Sequence, residues 1–390
     1  MAVKNKKFNE INLILSCCRV QIDDSNRNKI KNILSQQFID WNFVVSQSVH
    51  HHIAPLVYRN LIKIENIPVS NAVLSELKTY YIFTLTNNLY FWSECQQLLR
   101  NFSDTGIKAV PLKGIFFAHL IYHDLGLRPM SDVDILIQEK DFYKAEKILY
   151  QSDFKKCQVD YPDGFRKKYL YHLTYLKQLT NRIIFPLELH WNFIRPQNGK
   201  TYFADIWSRV SSGSIDGEKV LLLSKEDNLL RTALQIKSHI SHRLMSICDI
   251  TELLKFYENN FDWYYVAKTA IHNEMEIVLY SGLSAAKNLL NAPMPDNFLN
   301  EFKIGLFKKD LINKYICNKE KLFKGRKNIF YRTKNIFLHL LLSERKISFF
   351  IYILFMPIEE FARFCSLPIP SIKTNLLYFV RVFYIPFTFR

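Results

Sequence analysis

The hydrophobic periodicity of the chain changes twice along its length, and this change restricts the fold more than any other feature. Up to about residue 103 the apolar residues recur at helical spacing. From about residue 107 to 215 short runs with strand-like alternation replace them, and from about 219 the helical spacing returns. The sequence therefore predicts an α+β fold, in which a small mixed β-sheet core is flanked by helical domains. The expected boundaries are 1–103 for the N-terminal helical region, 104–215 for the α/β core and 216–390 for the C-terminal helical domain.

Individual elements carry their own boundary signals. Ser70 stands where an N-cap would begin a long apolar helix, and Gly106 lies just beyond the expected end of that helix. Ser224 and Asp227 form a capping-box-like start for a later helix. Four runs are typical of strands, and the segment between the second and third is typical of a helix. The strand-like runs are IKAVPLKG (107–114), SDVDILI (131–137), YHLTYLKQ (171–178) and RIIFPLELHW (182–191), and the helix-like segment is DFYKAEKILYQSDF (141–154).

Charge and composition narrow the class of protein. The formal net charge of +16 over 390 residues predicts anionic partners, such as nucleotide phosphates, nucleic acid or an anionic membrane surface. The seven cysteines form no CxxC pair, and the basic N-terminus is not followed by an apolar signal segment. The longest apolar stretch, at 347–357, is about half the ~20 residues that span a bilayer. We therefore expect a cytoplasmic protein with reduced thiols and no transmembrane segment.

Two aspartates interrupt the apolar run of the second candidate strand. Strand alternation directs Asp132 and Asp134 to one face, while Val133 and Ile135 point to the other. Two carboxylates so close together repel each other unless a cation lies between them, and hard divalent ions such as Mg²⁺ take oxygen ligands of this kind. A chance Asp-x-Asp on an exposed edge is the alternative, and the pair by itself does not decide between the two.

Two neighbouring runs favour a phosphate and metal site. In VPLKG a strand end is followed by a Gly-containing turn and a helix start, which would present backbone N–H groups to phosphate, and Lys113 would add a point charge beside Gly114. In PLELHW, Glu188 and His190 project from the face opposite Leu187 and Leu189. Glu188 would be a third carboxylate beside the aspartates, the usual set for two Mg²⁺ ions in phosphoryl transfer.

The runs LKG, LRPMSDVDILI, LELHW and SKEDNLLRTALQIKSHI, in this order, resemble the nucleotidyltransferase superfamily with the polymerase-β-like fold. They are most similar to a bacterial family described as uncharacterised nucleotidyltransferases, over about residues 50–260. The resemblance implies transfer of a nucleoside monophosphate from ATP or another NTP, with Mg²⁺ or Mn²⁺. It differs in one place, because the superfamily usually has Gly-Ser or Gly-Gly where this chain has Lys113-Gly114.

In such a site Asp132 and Asp134 would hold both metal ions, and Glu188 would complete the second ion or accept the proton of the acceptor hydroxyl. The nucleotide-binding residues would be Lys113, Gly114, Arg128 and Ser131. An arginine at the start of a strand is as often only a solvated charge, and Ser131 is more simply interpreted as a structural hydrogen-bonding group. His190 is interpreted as a partly buried side chain on the site face, since Mg²⁺ prefers oxygen.

Other functions remain open from the sequence. The basic C-terminal tail suggests a non-catalytic nucleotide- or nucleic-acid-binding module of the toxin–antitoxin type. The apolar segments 347–357 and 375–389 suggest a peripheral membrane protein. His239 and His242, followed by Asp249, could form a second metal site, but a helical domain that closes over the nucleotide is the more economical interpretation of this segment. For the transferase, the sequence does not identify the acceptor, which could be a small molecule, a peptide or a protein, with nucleic acid less favoured.

Overall fold

The structure is a computed structural model that describes residues 7–36, 38–157, 170–194, 205–238 and 244–323, together with the single residues Arg166, Phe203, Ile358, Asn375, Leu376 and Tyr378. The segment 347–357 and both His239 and His242 lie outside the described residues, as does nearly all of 375–389. Within the part that is described, no helix is both long and apolar enough to cross a membrane.

The N-terminal region is helical, as the periodicity predicts. Its fifth helix is long because its apolar spacing is maintained over many turns, and its two ends confirm the predicted boundaries. The Ser70 side chain accepts a hydrogen bond from the backbone N–H of Val73 at 3.4 Å, and Gly106 has a φ of +76°. The helices are α1 (Phe8–Cys17), α2 (Asp24–Gln36), α3 (Trp41–His50), α4 (Ala54–Ile62) and α5 (Asn71–Asp104).

The central region forms a mixed five-stranded sheet with the order β1-β2-β5-β4-β3. Strands β2 and β5 are parallel, and the other neighbouring pairs are antiparallel. The expected α+β class with a small mixed sheet is thus confirmed. The strands are β1 (Ala109–Pro111), β2 (Val133–Ile137), β3 (Lys155–Lys156), β4 (His172–Gln178) and β5 (Ile184–His190), with short α6 (Lys113–Phe116), a π-helical turn (Phe117–Ile121) and α7 (Phe142–Gln151) between them.

One face of the sheet is largely apolar. Alternate residues of the strands, among them Val133, Leu173 and Leu187, share a buried cluster with Phe102 of α5 and Phe142 of α7. Strand alternation therefore sends the intervening residues to the opposite face, where polar side chains are found. The apolar face fixes the sheet on the long helix and leaves the other face for chemistry.

A hairpin follows the core and differs from the sequence expectation. Residues Glu218–Leu222 form strand β7, paired with β6 (Ser211–Ile215), whereas helical structure was expected from about 219. The short apolar run that ends this strand does not distinguish strand from helix by periodicity, and the turn at Asp216 and Gly217, both with positive φ, decides in favour of a hairpin. The predicted boundary between 215 and 216 falls at this turn, and the division into three domains stays a prediction.

The helices after the hairpin pack against those of the N-terminal region. The backbone N–H of Asp227 donates to the Ser224 hydroxyl at 3.0 Å, which confirms Ser224 as the N-cap of the helix that follows. Leu13 of α1 and Leu283 of α12 belong to one hydrophobic core. The helices are α8 (Ile206–Arg209), α9 (Lys225–Ser238), α10 (Leu244–Phe256), α11 (Trp263–His272), α12 (Glu276–Leu290), α13 (Leu306–Tyr315) and α14 (Lys319–Leu322).

A buried ion pair joins the loop before β2 to α10. Arg128 donates from Nη2 to Asp249 Oδ2 at 2.8 Å and from Nε to both carboxylate oxygens at 3.1 and 3.2 Å. The Tyr122 hydroxyl donates to the same carboxylate at 3.0 Å, and burial is the main reason that the pKa of Tyr122 is raised. This network ties the sheet edge to the C-terminal helices.

Removing one partner of this pair should destabilise the protein strongly. Asp249→Ala leaves the Arg128 guanidinium buried without its counter-charge, so we expect the free energy of unfolding to fall by about 3–5 kcal/mol. Asp296→Ala is the matched control, because Asp296 pairs with Lys287 while its own side chain is 96% exposed, and it should have almost no effect. Urea denaturation measures both; equal effects would contradict the assigned role of the buried pair.

Candidate active site

Three adjacent strands present polar side chains on the face opposite the apolar cluster. In the register of the sheet, Asp134 of β2 lies beside Glu188 of β5, and His190 of β5 lies beside His172 of β4. The flanking Leu187 and Leu189 are fully buried on the other side, and this alternation directs Glu188 and His190 to the polar face. The structure thus places Glu188 on the same face as Asp134, as the sequence predicts.

Asp134 is the most buried charge of this face, with 1% of its side chain exposed. Its Oδ1 lies 2.7 Å from Lys113 Nζ, 2.8 Å from His190 Nε2 and 3.5 Å from Arg231 Nη2. Burial by itself raises the pKa of Asp134, but the charge of Lys113, the hydrogen bond from His190 and the charge of Arg231 outweigh it and hold this pKa well below its usual range. Asp134 is therefore ionised at neutral pH.

Asp132 precedes β2 and is only half-buried. The Ser131 hydroxyl donates to Asp132 Oδ1 at 3.3 Å. Burial and the repulsion of Asp134 raise the pKa of Asp132, and these outweigh the attraction of Lys113. Asp132 is thus the carboxylate of the pair that the protein does not fully neutralise.

Glu188 interacts with two imidazoles. Its Oε2 lies 3.1 Å from His190 Nε2, and its Oε1 lies 3.9 Å from His172 Nε2. Burial raises the pKa of Glu188, but the hydrogen bond from His190 more than compensates and keeps this pKa below its usual value. His190 therefore links the two carboxylates of β2 and β5.

Lys113 and Gly114 lie in the turn after β1. Lys113 has a φ of +32°, a conformation that residues with side chains rarely adopt and that often marks functional sites. A Cβ atom on Gly114 would lie 2.4 Å from Met130 Sδ and 3.2 Å from Arg128 Nη1, so any larger residue would force Met130 to move. The role of this turn in binding phosphate stays a prediction.

These groups line a cleft of about 210 Å³ between the sheet edge and the C-terminal helices. Lys113, Gly114, Arg128, Ser131, Asp132 and Asp134 all contribute to it, and Gln235, Met245 and Ser246 close it from α9 and α10. Six of the seven predicted site residues therefore surround one cavity, with Glu188 joined to it through the His190 bridge to Asp134. The guanidinium of Arg128 is held by Asp249, and its contact with nucleotide stays a prediction.

Sequence reasoning did not identify Arg231 and His172 as members of this site. Arg231 is buried on α9, in line with the polar Asn228 and Gln235 at helical spacing, and this polar stripe within an apolar helix was the available signal. His172 alternates with the buried Leu173, which assigns its face, but only the pairing of β4 with β5 places it beside His190.

The balance of charges around Asp134 predicts a pH-dependent effect of Lys113→Met. Without the Lys113 charge, the pKa of Asp134 in the folded protein is higher than in the wild type. The folded variant therefore loses stability as the pH rises above that pKa, because it must then hold an ionised buried carboxylate. We expect the variant to be less stable than the wild type by about 1–3 kcal/mol at pH 7. The difference should narrow at pH 4, where the carboxyl of the variant can bind a proton.

Urea denaturation at pH 4 and pH 7 measures this difference. Lys108→Met, which alters an exposed lysine before β1, is the control and should show no such dependence. A difference between variant and wild type that is as large at pH 4 as at pH 7 would contradict the ion pair with Asp134.

Comparison with known proteins identifies the family. The family described as "Uncharacterised nucleotidyltransferase" matches residues 37–291, which is more than half of the chain. A solved structure of an antigenic nucleotidyltransferase-like protein from Paracoccidioides brasiliensis is similar over 54% of this chain and 95% of that chain, with 18% identity and a TM-score of 0.33, which is too loose a likeness to support any conclusion. No curated protein matches. On the family match, the chain belongs to the uncharacterised nucleotidyltransferase family.

Proposed function

We propose that this protein is a metal-dependent nucleotidyltransferase. It transfers a nucleoside monophosphate from ATP or another NTP to a hydroxyl or similar group of an acceptor, and it releases pyrophosphate. The observation that carries the proposal is the position of Asp134 beside Glu188 on one sheet face, with Asp132 and Lys113 in the adjoining cleft. The family membership supports the general activity.

The residues of the site fit a hard divalent cation. Asp132, Asp134 and Glu188 bring three negative charges, whereas the fixed cations Lys113 and Arg231 bring two positive charges, both beside Asp134. The raised pKa of Asp132 reflects this excess of negative charge in a partly buried place. Carboxylate oxygens are the ligands that Mg²⁺ and Mn²⁺ prefer, so the three acids would hold the metal.

Bound metal would supply charge neutralisation for the triphosphate and lower the pKa of the acceptor hydroxyl. The chain's own groups would do the rest. Lys113 Nζ, with its side chain 16% exposed, can turn from Asp134 to a phosphate oxygen. Glu188, 24% exposed, can accept the proton of the acceptor hydroxyl at a carboxylate oxygen. The buried Arg231 keeps a fixed positive charge beside Asp134 when Lys113 moves.

Asp132→Asn should abolish transfer and leave the fold intact. The raised pKa of Asp132 means that its ionised form costs stability at neutral pH, so removing the charge should leave the free energy of unfolding unchanged or slightly higher. Transfer should fall by at least about 100-fold, because the metal ion that would neutralise the transition-state charge loses a ligand.

Pyrophosphate release from each NTP with Mg²⁺, together with the melting temperature, tests this variant. Asp310→Asn, on the exposed surface of α13, is the matched control for the loss of one carboxylate. Full activity of Asp132→Asn would refute the proposed function, and a sharp loss of stability would show that the carboxylate is a structural acceptor.

Nucleotide binding should depend on metal. An NTP at about 100 times its dissociation constant should stabilise the protein by about 2.7 kcal/mol in the presence of Mg²⁺, and much less with EDTA. Thermal shifts at two salt concentrations separate this effect from simple charge attraction, which screening weakens. Equal shifts with Mg²⁺ and with EDTA would show that the basic charge of the chain attracts phosphate without a metal site.

A further inference from the structure

A second group of possible metal ligands lies next to the predicted carboxylate site. His172, Glu188 and His190 each offer one ligand atom, and these three atoms lie within 4.8 Å of one another. The pairing of β4 with β5 sets His172 beside His190, and strand alternation puts Glu188 on the same face two residues earlier. The cluster therefore arises from the sheet itself, on rigid elements, and not from a loop.

The separations of the donor atoms suit a single ion. Four ligands at about 2.0–2.1 Å from a tetrahedral metal lie roughly 3.4 Å from one another. Glu188 Oε2 lies 3.1 Å from His190 Nε2, and the other oxygen, Oε1, lies 3.9 Å from His172 Nε2, so each imidazole lies near one oxygen of the same carboxylate. The two imidazole rings have centroids 4.8 Å apart and are inclined by 35°. Small side-chain rotations would bring the three donors around one ion.

His190 Nε2 is shared between Asp134 and Glu188, so a metal ion bound there would replace the proton that both carboxylates contact. Nε2 faces two carboxylates, which only accept, so it carries the proton in this arrangement. His190 Nδ1 is buried and has no hydrogen-bond partner within the described part of the chain. A bound ion would therefore take the place of the hydrogen that the two carboxylates share at Nε2. A cation there keeps the electrostatic attraction to both.

Access to the cluster is partial. The side chains of His172 and Glu188 are 23% and 24% exposed, whereas that of His190 is 1% exposed. Three protein ligands with one side towards solvent are typical of a catalytic metal centre, which keeps a position for water or substrate, whereas a structural centre is closed by four.

We propose that His172, Glu188 and His190 bind a divalent transition-metal ion of the Zn²⁺ class. Imidazole nitrogen suits Zn²⁺ and Co²⁺, and it does not suit Mg²⁺, which prefers oxygen. The role of this ion in transfer rests on the proposed function. Asp132 and Asp134 offer only oxygen ligands, whereas the ion at Glu188 would have the two imidazoles of His172 and His190 as further ligands. The site then takes two different metals, an oxygen-ligated ion at Asp132 and Asp134 and a transition-metal ion at this cluster.

Metal binding without nucleotide tests this proposal directly. The full chain is stripped with EDTA, dialysed and titrated with Co²⁺ and with Zn²⁺, and affinity, bound metal per chain and the visible spectrum of Co²⁺ are measured. We expect saturable binding at this cluster, a Co²⁺ spectrum of nitrogen ligation, and weak competition by Mg²⁺ in roughly 100-fold excess. His172→Gln and His190→Gln should each lower the affinity at least tenfold and change the spectrum.

His272→Gln is the matched control, because His272 is an exposed histidine at the end of α11 and should leave both affinity and spectrum unchanged. Binding of Co²⁺ that is equal in wild type and His172→Gln would overturn the proposal and identify the cluster as a hydrogen-bonded support for Asp134. If His190→Gln does not unfold cooperatively, His172→Gln decides alone.

Asp132→Asn separates this proposal from the proposed function. Asp132 is not one of the three ligands, so this variant should keep Co²⁺ binding while losing nucleotide transfer. A wild-type protein that binds Co²⁺ through both histidines but transfers no nucleotide would refute the transferase and leave the metal site standing. If His172→Gln changes neither the transfer with Mg²⁺ nor the binding of Co²⁺, the metal site is refuted and the transferase stands.

Discussion

The buried carboxylate of Asp134 is the charge on which the arrangement of the site depends. An ionised carboxylate with 1% exposure costs several kcal/mol unless it is paired and hydrogen-bonded. Its partners come from three different parts of the chain: Lys113 from the turn after β1, His190 from β5 and Arg231 from α9. Each of these elements must dock correctly for Asp134 to remain ionised, so the helical segment after the core is part of the site and not merely attached to it.

The same network explains how a protein can hold a dense group of acids before any ligand arrives. Lys113 and His190 both contact Oδ1 of Asp134, and the raised pKa of Asp132 reflects the negative charge that these partners do not offset. In the proposed reaction Lys113 leaves Asp134 and turns to a phosphate oxygen. His190 would release Asp134 as well and keep its contact with Glu188. The positive φ of Lys113 fits a side chain that is positioned for function at some cost in backbone energy.

A second buried pair connects the site to the rest of the molecule. Arg128 lines the cleft and is bound by Asp249 of α10, whose helix also provides Met245 and Ser246 to the same cleft. The helices of the N-terminal and C-terminal segments share one hydrophobic core, so the position of α10 depends on both. The cleft is therefore bounded by the sheet on one side and by this common helical layer on the other. A substitution at Asp249 should therefore disturb the loop that carries Ser131 and Asp132, because the ion pair between Asp249 and Arg128 holds this loop.

The sequence by itself determined the α+β class, the long helix from Ser70, the strands of the core and the common face of Asp134 and Glu188. These follow from local physics, because periodicity, capping residues and strand alternation act over a few neighbouring positions. It did not determine the hairpin at Asp216, where a short apolar run is compatible with either type of element.

Only the tertiary structure decided which distant groups meet. The sequence leaves Arg128 as either a phosphate contact or a solvated charge, and the fold buries it and pairs it with Asp249, a residue 121 positions away. His172 and Arg231 join the site through the register of β4 with β5 and the docking of α9. Such contacts depend on packing between elements far apart in the chain, and no local pattern of residues encodes them. That is why the sequence predicted the acids of the site, whereas their cations and the two imidazoles beside Glu188 became visible only in the fold.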